Sequence, residues 1–108
     1  MLAGLRQRFL HPPSATPMDL HGRRVIVTGT SEGSLGYETA RALATWGAEV
    51  VVTRRSGAEA IAQQLASASG GRVEGRDLDL GSTASVRDFV AWYEREHGAR
   101  LDVLINNA

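Results

Sequence analysis

The sequence contains no cysteine and no lysine. Without cysteine it has no disulfide, no thiolate nucleophile and no thiolate metal site, a composition compatible with a reducing compartment. Without lysine, all twelve basic residues are arginines, and a mechanism that requires a side-chain amine is not complete within these 108 residues. Aromatic residues make up only 6%, and no apolar run approaches the ~20 residues of a membrane-spanning helix. Twelve acids balance the twelve arginines, so no charge excess points to nucleic acid or to an anionic membrane surface. His11, His21 and His97 share no metal-ligand spacing and read as surface residues. The 43% hydrophobic and 22% charged content is that of a soluble globular chain of one domain.

Glycine, in contrast, is plentiful and placed with a pattern. Arg24 to Tyr37 reads RVIVTGTSEGSLGY: an apolar β-branched run, a turn at Gly29 with further glycines at Gly33 and Gly36, then a helix-prone segment. Strand, glycine-rich turn and helix form the layout that binds a dinucleotide pyrophosphate. Glycine permits the tight turn and leaves room for phosphate, and the first helical turn presents free N–H groups and a partial positive charge.

The rest of the chain repeats this alternation. Strands are predicted over Arg24–Thr28, Glu49–Thr53, Arg72–Asp77 and Leu101–Ile105. Helices are predicted over Leu35–Trp46, Gly57–Ala68 and from a Ser82 or Thr83 cap to His97. Three consecutive valines in the second strand suit burial on both faces of a parallel sheet. Ala58, Ile61, Ala62 and Leu65 define the buried face of the second helix, and Val86, Phe89, Val90 and Tyr93 that of the third. Trp46, Trp92 and Tyr93 read as helix-packing residues.

The order β-α-β-α-β-α-β with short connections gives an α/β fold: the first half of a Rossmann-type doubly wound parallel sheet, in strand order 3-2-1-4, ending after strand four. A ligand crevice is expected at the carboxyl ends of strands one and four, where the chain direction switches. Residues 1–20 lie outside this pattern, as an N-terminal extension before a partial dinucleotide-binding domain over 21–108. Leu2, Leu5, Phe9 and Leu10 suggest a short helix stopped by Pro12 and Pro13. The segment has no acid before Asp19, one feature of an organelle transit peptide, but only two arginines; it reads as a surface extension of a cytoplasmic protein.

With these elements placed, residues 20–108 resemble the N-terminal half of a short-chain dehydrogenase/reductase. Thr28-Gly29 with Gly33 and Gly36 resembles the family's TGxxxGxG loop, one residue longer because Ser34 and Leu35 separate the last two glycines. Leu78-Asp79-Leu80 resembles the motif that contacts adenine, and Asp102–Ala108, DVLINNA, resembles the fourth strand with its NNAG motif. The resemblance implies cofactor contacts from Gly29, Thr30, Ser31, Gly33, Ser34, Leu35 and Gly36 in the loop. It further implies Asp79 and Leu80 at adenine, Asn107 and Ala108 at the adenosine ribose, and Asn106 bracing strands one and four. Asp77 is a register alternative to Asp79, which itself could instead cap the third helix.

At the end of strand two, where an NAD-preferring site carries an acid, this sequence has Arg54 and Arg55. Guanidinium groups suit a 2′-phosphate, which favours NADP(H) over NAD(H), with Arg55 the better candidate. The alternative is that both arginines only solvate a strand end. Glu32, beside the second glycine, is an acid where NADP-preferring members often carry a base, and is expected in solvent.

The family moves a hydride between the nicotinamide and a carbonyl or alcohol carbon, using a serine and a Tyr-x-x-x-Lys pair downstream of NNAG. Tyr37-Glu38-Thr39-Ala40-Arg41 is not that pair, because it ends in arginine and lies in the first helix. The expectation is a partial oxidoreductase sequence, inactive alone, from a protein that forms a homo-oligomer at full length. The competing reading is a non-catalytic nucleotide-binding or interaction module that uses the half-fold, with an open sheet edge for a partner. An epimerase or dehydratase would share the half-fold, but the LDVLINNA ending argues against it.

Overall fold

The computed structural model describes residues 18–107. The helix expected around Leu2 to Leu10 therefore lies outside the described residues. Four strands, β1 (Arg24–Val27), β2 (Glu49–Arg54), β3 (Arg72–Asp77) and β4 (Val103–Ile105), alternate with helices α1 (Leu35–Thr45), α2 (Ala58–Ser69) and α3 (Thr83–His97). The strands form one sheet in the order β3-β2-β1-β4. Every pairing is parallel, with Ile26 opposite Val51 on one side and Leu104 on the other. This is the doubly wound half-fold that the alternation predicts, with boundaries displaced by a residue or two.

The strand period of two sorts the valines. Val25, Val27, Val50 and Val52 face α1 and α2, where they pack against Ala40, Ala44, Ile61, Ala62 and Leu65. Ile26 and Val51 point to the opposite face, where α3 covers them with Phe89, Trp92 and Tyr93. All four positions expected to bury α2 do so. The stripe of α3 differs from expectation at Val86, which is only partly buried, and at Val90, which is 47% exposed; Trp92, read as a helix-packing residue, is buried with Phe89 and Tyr93. The indole lies tilted against Phe89 (centroids 5.6 Å apart) and under the Arg76 guanidinium of β3, 5.0 Å away. Val90 falls on the side of β4.

On that side an apolar trough of about 430 Å³ remains between α3 and β4, lined by Leu80, Val90, Leu101 and Leu104 among others. At the amino end of the sheet, His97 is not a surface residue. Its Nδ1 accepts from Arg24 Nη1 at 2.7 Å and its Nε2 donates to Glu74 Oε1 at 2.8 Å, tying α3 to β1 and β3. The Tyr93 hydroxyl donates to the Arg100 carbonyl at 2.5 Å. Burial is the main cause that pushes this phenol above its ordinary pKa. Among the described residues no helix is long and apolar enough to cross a membrane.

Candidate functional site

The connection from β1 to α1 lies at the carboxyl end of the sheet, beside the end of β4. Gly29 (φ 68°) and Gly33 (φ 79°) adopt left-handed backbone, open to glycine at little cost. Between them Thr30 is fully buried, and both its N–H (3.2 Å) and its hydroxyl (3.0 Å) donate to the Thr53 carbonyl of β2. Ser34 caps α1: its Oγ accepts from the Tyr37 N–H at 3.1 Å, so α1 begins at Leu35 as the sequence predicts. Ser31, Glu32 and Gly33 form the exposed tip, with Glu32 in solvent. Leu35, in the first turn of α1, is 74% exposed.

The end of β4 holds this loop from the other side. The Thr28 hydroxyl donates to Asn106 Oδ1 at 3.1 Å and accepts from the Asn107 N–H at 3.0 Å. Asn107 Nδ2 donates to the Gly29 carbonyl at 3.3 Å. A Cβ on Gly36 would lie 2.5 Å from that Nδ2 and 2.9 Å from the Gly29 oxygen. The third glycine thus leaves the space through which Asn107 reaches the loop, a long-range reason invisible in the local sequence. Asn106 braces β1 and β4 as expected.

Below the loop tip, a cleft of about 580 Å³ brings together Gly29, Ser31, Arg54, Arg55, Asp79 and Leu80 from three different connections. Thr53, Ser56, Leu78 and Gly81 complete its lining. Of the other residues expected at the site, Gly33, Ser34, Leu35 and Gly36 belong to the loop and first turn above. Thr30 is buried behind the loop, Asn107 stands at the β4 side, and Ala108 lies outside the described residues.

The two aspartates at the end of β3 are distinguished by their partners. Asp77 Oδ1 accepts from the Ala58 N–H at 2.9 Å and so caps α2 from across the sheet. Asp79 lines the cleft; its Oδ1 accepts from the Gly81 N–H at 2.9 Å, while its own N–H donates to Ser85 Oγ at 2.9 Å. Ser82, not Asp79, caps α3, its Oγ accepting from the Ser85 N–H at 3.1 Å. Ser85 and Gly81 were not singled out by the sequence; Gly81, two residues after an aspartate, carried a turn signal that could have shown it. Arg55 extends over the cleft mouth with its Nε 4.0 Å from Asp79 Oδ1.

The chemistry of this donor set fits a dinucleotide. It combines part of a glycine-hinged loop, two guanidiniums and one carboxylate around a single cleft, with the N-terminus of α1 above it. No cluster of three or more potential metal ligands occurs among the described residues.

Comparison with known proteins agrees with the geometry. The model of the short chain dehydrogenase family matches residues 23–108. A probable oxidoreductase of Streptomyces antibioticus is 53% identical over 95 residues, covering 84% of this chain and 30% of that protein. Retinol dehydrogenase 12 of Bos taurus is 36% identical over 107 residues, covering 96% of this chain and 33% of that protein. The chain thus spans about a third or less of the length of these curated relatives. Among solved structures, a metagenomic short-chain oxidoreductase in complex with NADP is 38% identical with a TM-score of 0.72, covering 82% of this chain and 40% of that one. L-Sorbose reductase from Gluconobacter frateurii, complexed with NADPH and L-sorbose, is 28% identical with a TM-score of 0.75, over 86% and 35% of the respective chains. Family match, sheet order and loop position agree, and the chain belongs to the short-chain dehydrogenase family.

Proposed function

We propose that this chain is the NADP(H)-binding part of an oxidoreductase acting on a carbonyl or alcohol carbon. The observation that carries the reading is the pair Arg54 and Arg55 at the end of β2, in one cleft with Gly29 and Asp79. In this reading NADP(H) supplies or accepts the hydride, and the residues of this chain bind and orient it. The loop from Gly29 to Gly36 and the first turn of α1 receive the pyrophosphate. Arg55, with Arg54, holds the 2′-phosphate by charge-assisted hydrogen bonds. Asp79 accepts from the adenine amino group, the Leu80 N–H donates to the ring, and Asn107 and Ala108 face the adenosine ribose.

Residues 21–108 act as the dinucleotide-binding unit and 1–20 as an extension. No lysine occurs within these residues, so they do not complete the Tyr-x-x-x-Lys pair of the family's chemistry. The 108-residue chain alone is accordingly inactive. The cytoplasm as its location and a homo-oligomer as the full-length assembly belong to the same reading.

Calorimetric titration with NADPH, and separately NADH, at low salt tests it. NADPH should bind at least about tenfold more tightly, the preference collapsing in Arg55→Ala. Equal affinities, or tighter NADH, would overturn the assignment of the ribose site.

A further inference from the structure

Arg55 and Asp79 face each other across the mouth of the cleft, and their freedom is unequal. Asp79 is held from below: Gly81 N–H donates to its carboxylate, and its own N–H is fixed on Ser85 Oγ. Arg55 is 84% exposed against 44% for Asp79, and the Asp79 carboxylate, at 4.0 Å, is the acid with which it forms an ion pair. The pair is therefore a fixed anion with a swinging cation. We propose that Arg55 is a shared ligand, held by Asp79 when the cleft is empty and passed to the 2′-phosphate when NADP(H) enters. The inference rests on the reading of this cleft as the NADP(H) site.

A phosphate monoester carries about −1.5 to −2 charge at pH 7 and three acceptor oxygens, so it outcompetes a single carboxylate for the guanidinium. Transfer of Arg55 leaves Asp79 Oδ1 on the Gly81 N–H and removes the cation beside that carboxylate. A ligand without the 2′-phosphate meets Asp79 with its guanidinium still in place. Asp79 is in this sense a positioning and specificity-setting residue, a competitor in the empty cleft and a partner in the filled one.

The neighbouring acid provides a contrast. Asp77 lies two residues away, carries the same charge and is engaged on the α2 N-terminus rather than on Arg55. A general electrostatic effect would appear in both Asp77→Asn and Asp79→Asn, whereas competition for Arg55 belongs to Asp79 alone. Asparagine keeps the acceptor oxygen in each case, so the turn at Gly81 and the cap at Ala58 are retained.

The test uses two probes that differ only in the 2′-phosphate, adenosine 2′,5′-bisphosphate and adenosine 5′-monophosphate. Both are titrated at low salt into the protein, Asp79→Asn, Asp77→Asn, Arg55→Ala and the Arg55→Ala/Asp79→Asn double variant, with binding followed by amide NMR shifts. Exposed ion pairs are weak, so Asp79→Asn should tighten the bisphosphate by about two- to fivefold relative to the monophosphate. That gain should vanish in the Arg55→Ala background and be absent in Asp77→Asn. A gain that survives Arg55→Ala, an equal gain in Asp77→Asn, or no gain at all would overturn the sharing of Arg55. If the unaltered protein does not distinguish the two probes, the ribose-site reading itself fails. If it does and Asp79→Asn changes nothing, only the sharing fails.

Discussion

The two faces of the sheet are built by opposite means. Toward α1 and α2, four valines from β1 and β2 meet small residues, Ala40, Ala44 and Ala62, with Leu65 and Ile61 filling between them. Alanines let two helices approach closely, and the core on this face is closed. Toward α3 only Ile26 and Val51 from the strands lie in the buried cluster, and a single helix covers them with three aromatic rings. Large rings cover much sheet area from one helix, but they leave Leu80, Val90, Leu101 and Leu104 exposed beside β4. The face built of small residues is the more fully buried one. The face built of large ones keeps an apolar surface on which further protein can pack.

This contrast can be broken by mutation, beginning with its strongest side. Leu65→Ala, which opens a cavity at a fully buried position between α2 and the sheet, should cost about 2–5 kcal/mol in chemical denaturation. A loss below about 1 kcal/mol would mean that the two-helix face is not the better packed one. On the one-helix face, Tyr93→Phe should cost about 1 kcal/mol at neutral pH by removing the hydrogen bond to Arg100. Its pH signature is more specific. Because the folded-state pKa of Tyr93 lies above the unfolded value, its contribution is full below about pH 10 and declines as pH rises through the folded-state pKa. The alkaline limb of a denaturation series should therefore be shallower in Tyr93→Phe; an unchanged limb would remove burial of this phenol from the account. The smallest effect is expected beside β4. Leu104→Ser should change stability by no more than about 0.5 kcal/mol while reducing self-association measured by light scattering. A large loss of stability would show that the trough is already part of the closed core.

The sequence made the two-helix face legible because its signals are local. The valine run of β2 and the i, i+3, i+4, i+7 spacing in α2 depend on near neighbours, and both appear in the structure as read. The stripe of α3 misled at Val90, whose apolar character alone did not show that it faces the trough beside β4 and not the cluster around Trp92. His97 was unreadable because its partners Arg24 and Glu74 lie 73 and 23 residues away in the chain. At the candidate site the loop, Arg54, Arg55 and Asp79 were legible as residue types at suitable spacing. The division of labour between Asp77 and Asp79 was not, since it follows from how the end of β3 meets the N-terminus of α2. In the longer glycine loop Gly36 still lies against Asn107, where a Cβ would not fit.

The Thr28 hydroxyl joins the two lips of the crevice, donating to Asn106 and accepting from Asn107, while Asn107 reaches back to the glycine loop. These bonds close a ring through β1, the loop and the end of β4, made entirely of protein groups. The walls of the crevice are thereby tied to one another by the fold. Preorganisation of this kind lowers the entropic cost of association. It also makes the affinity of the cleft and the stability of the sheet two readouts of one set of hydrogen bonds.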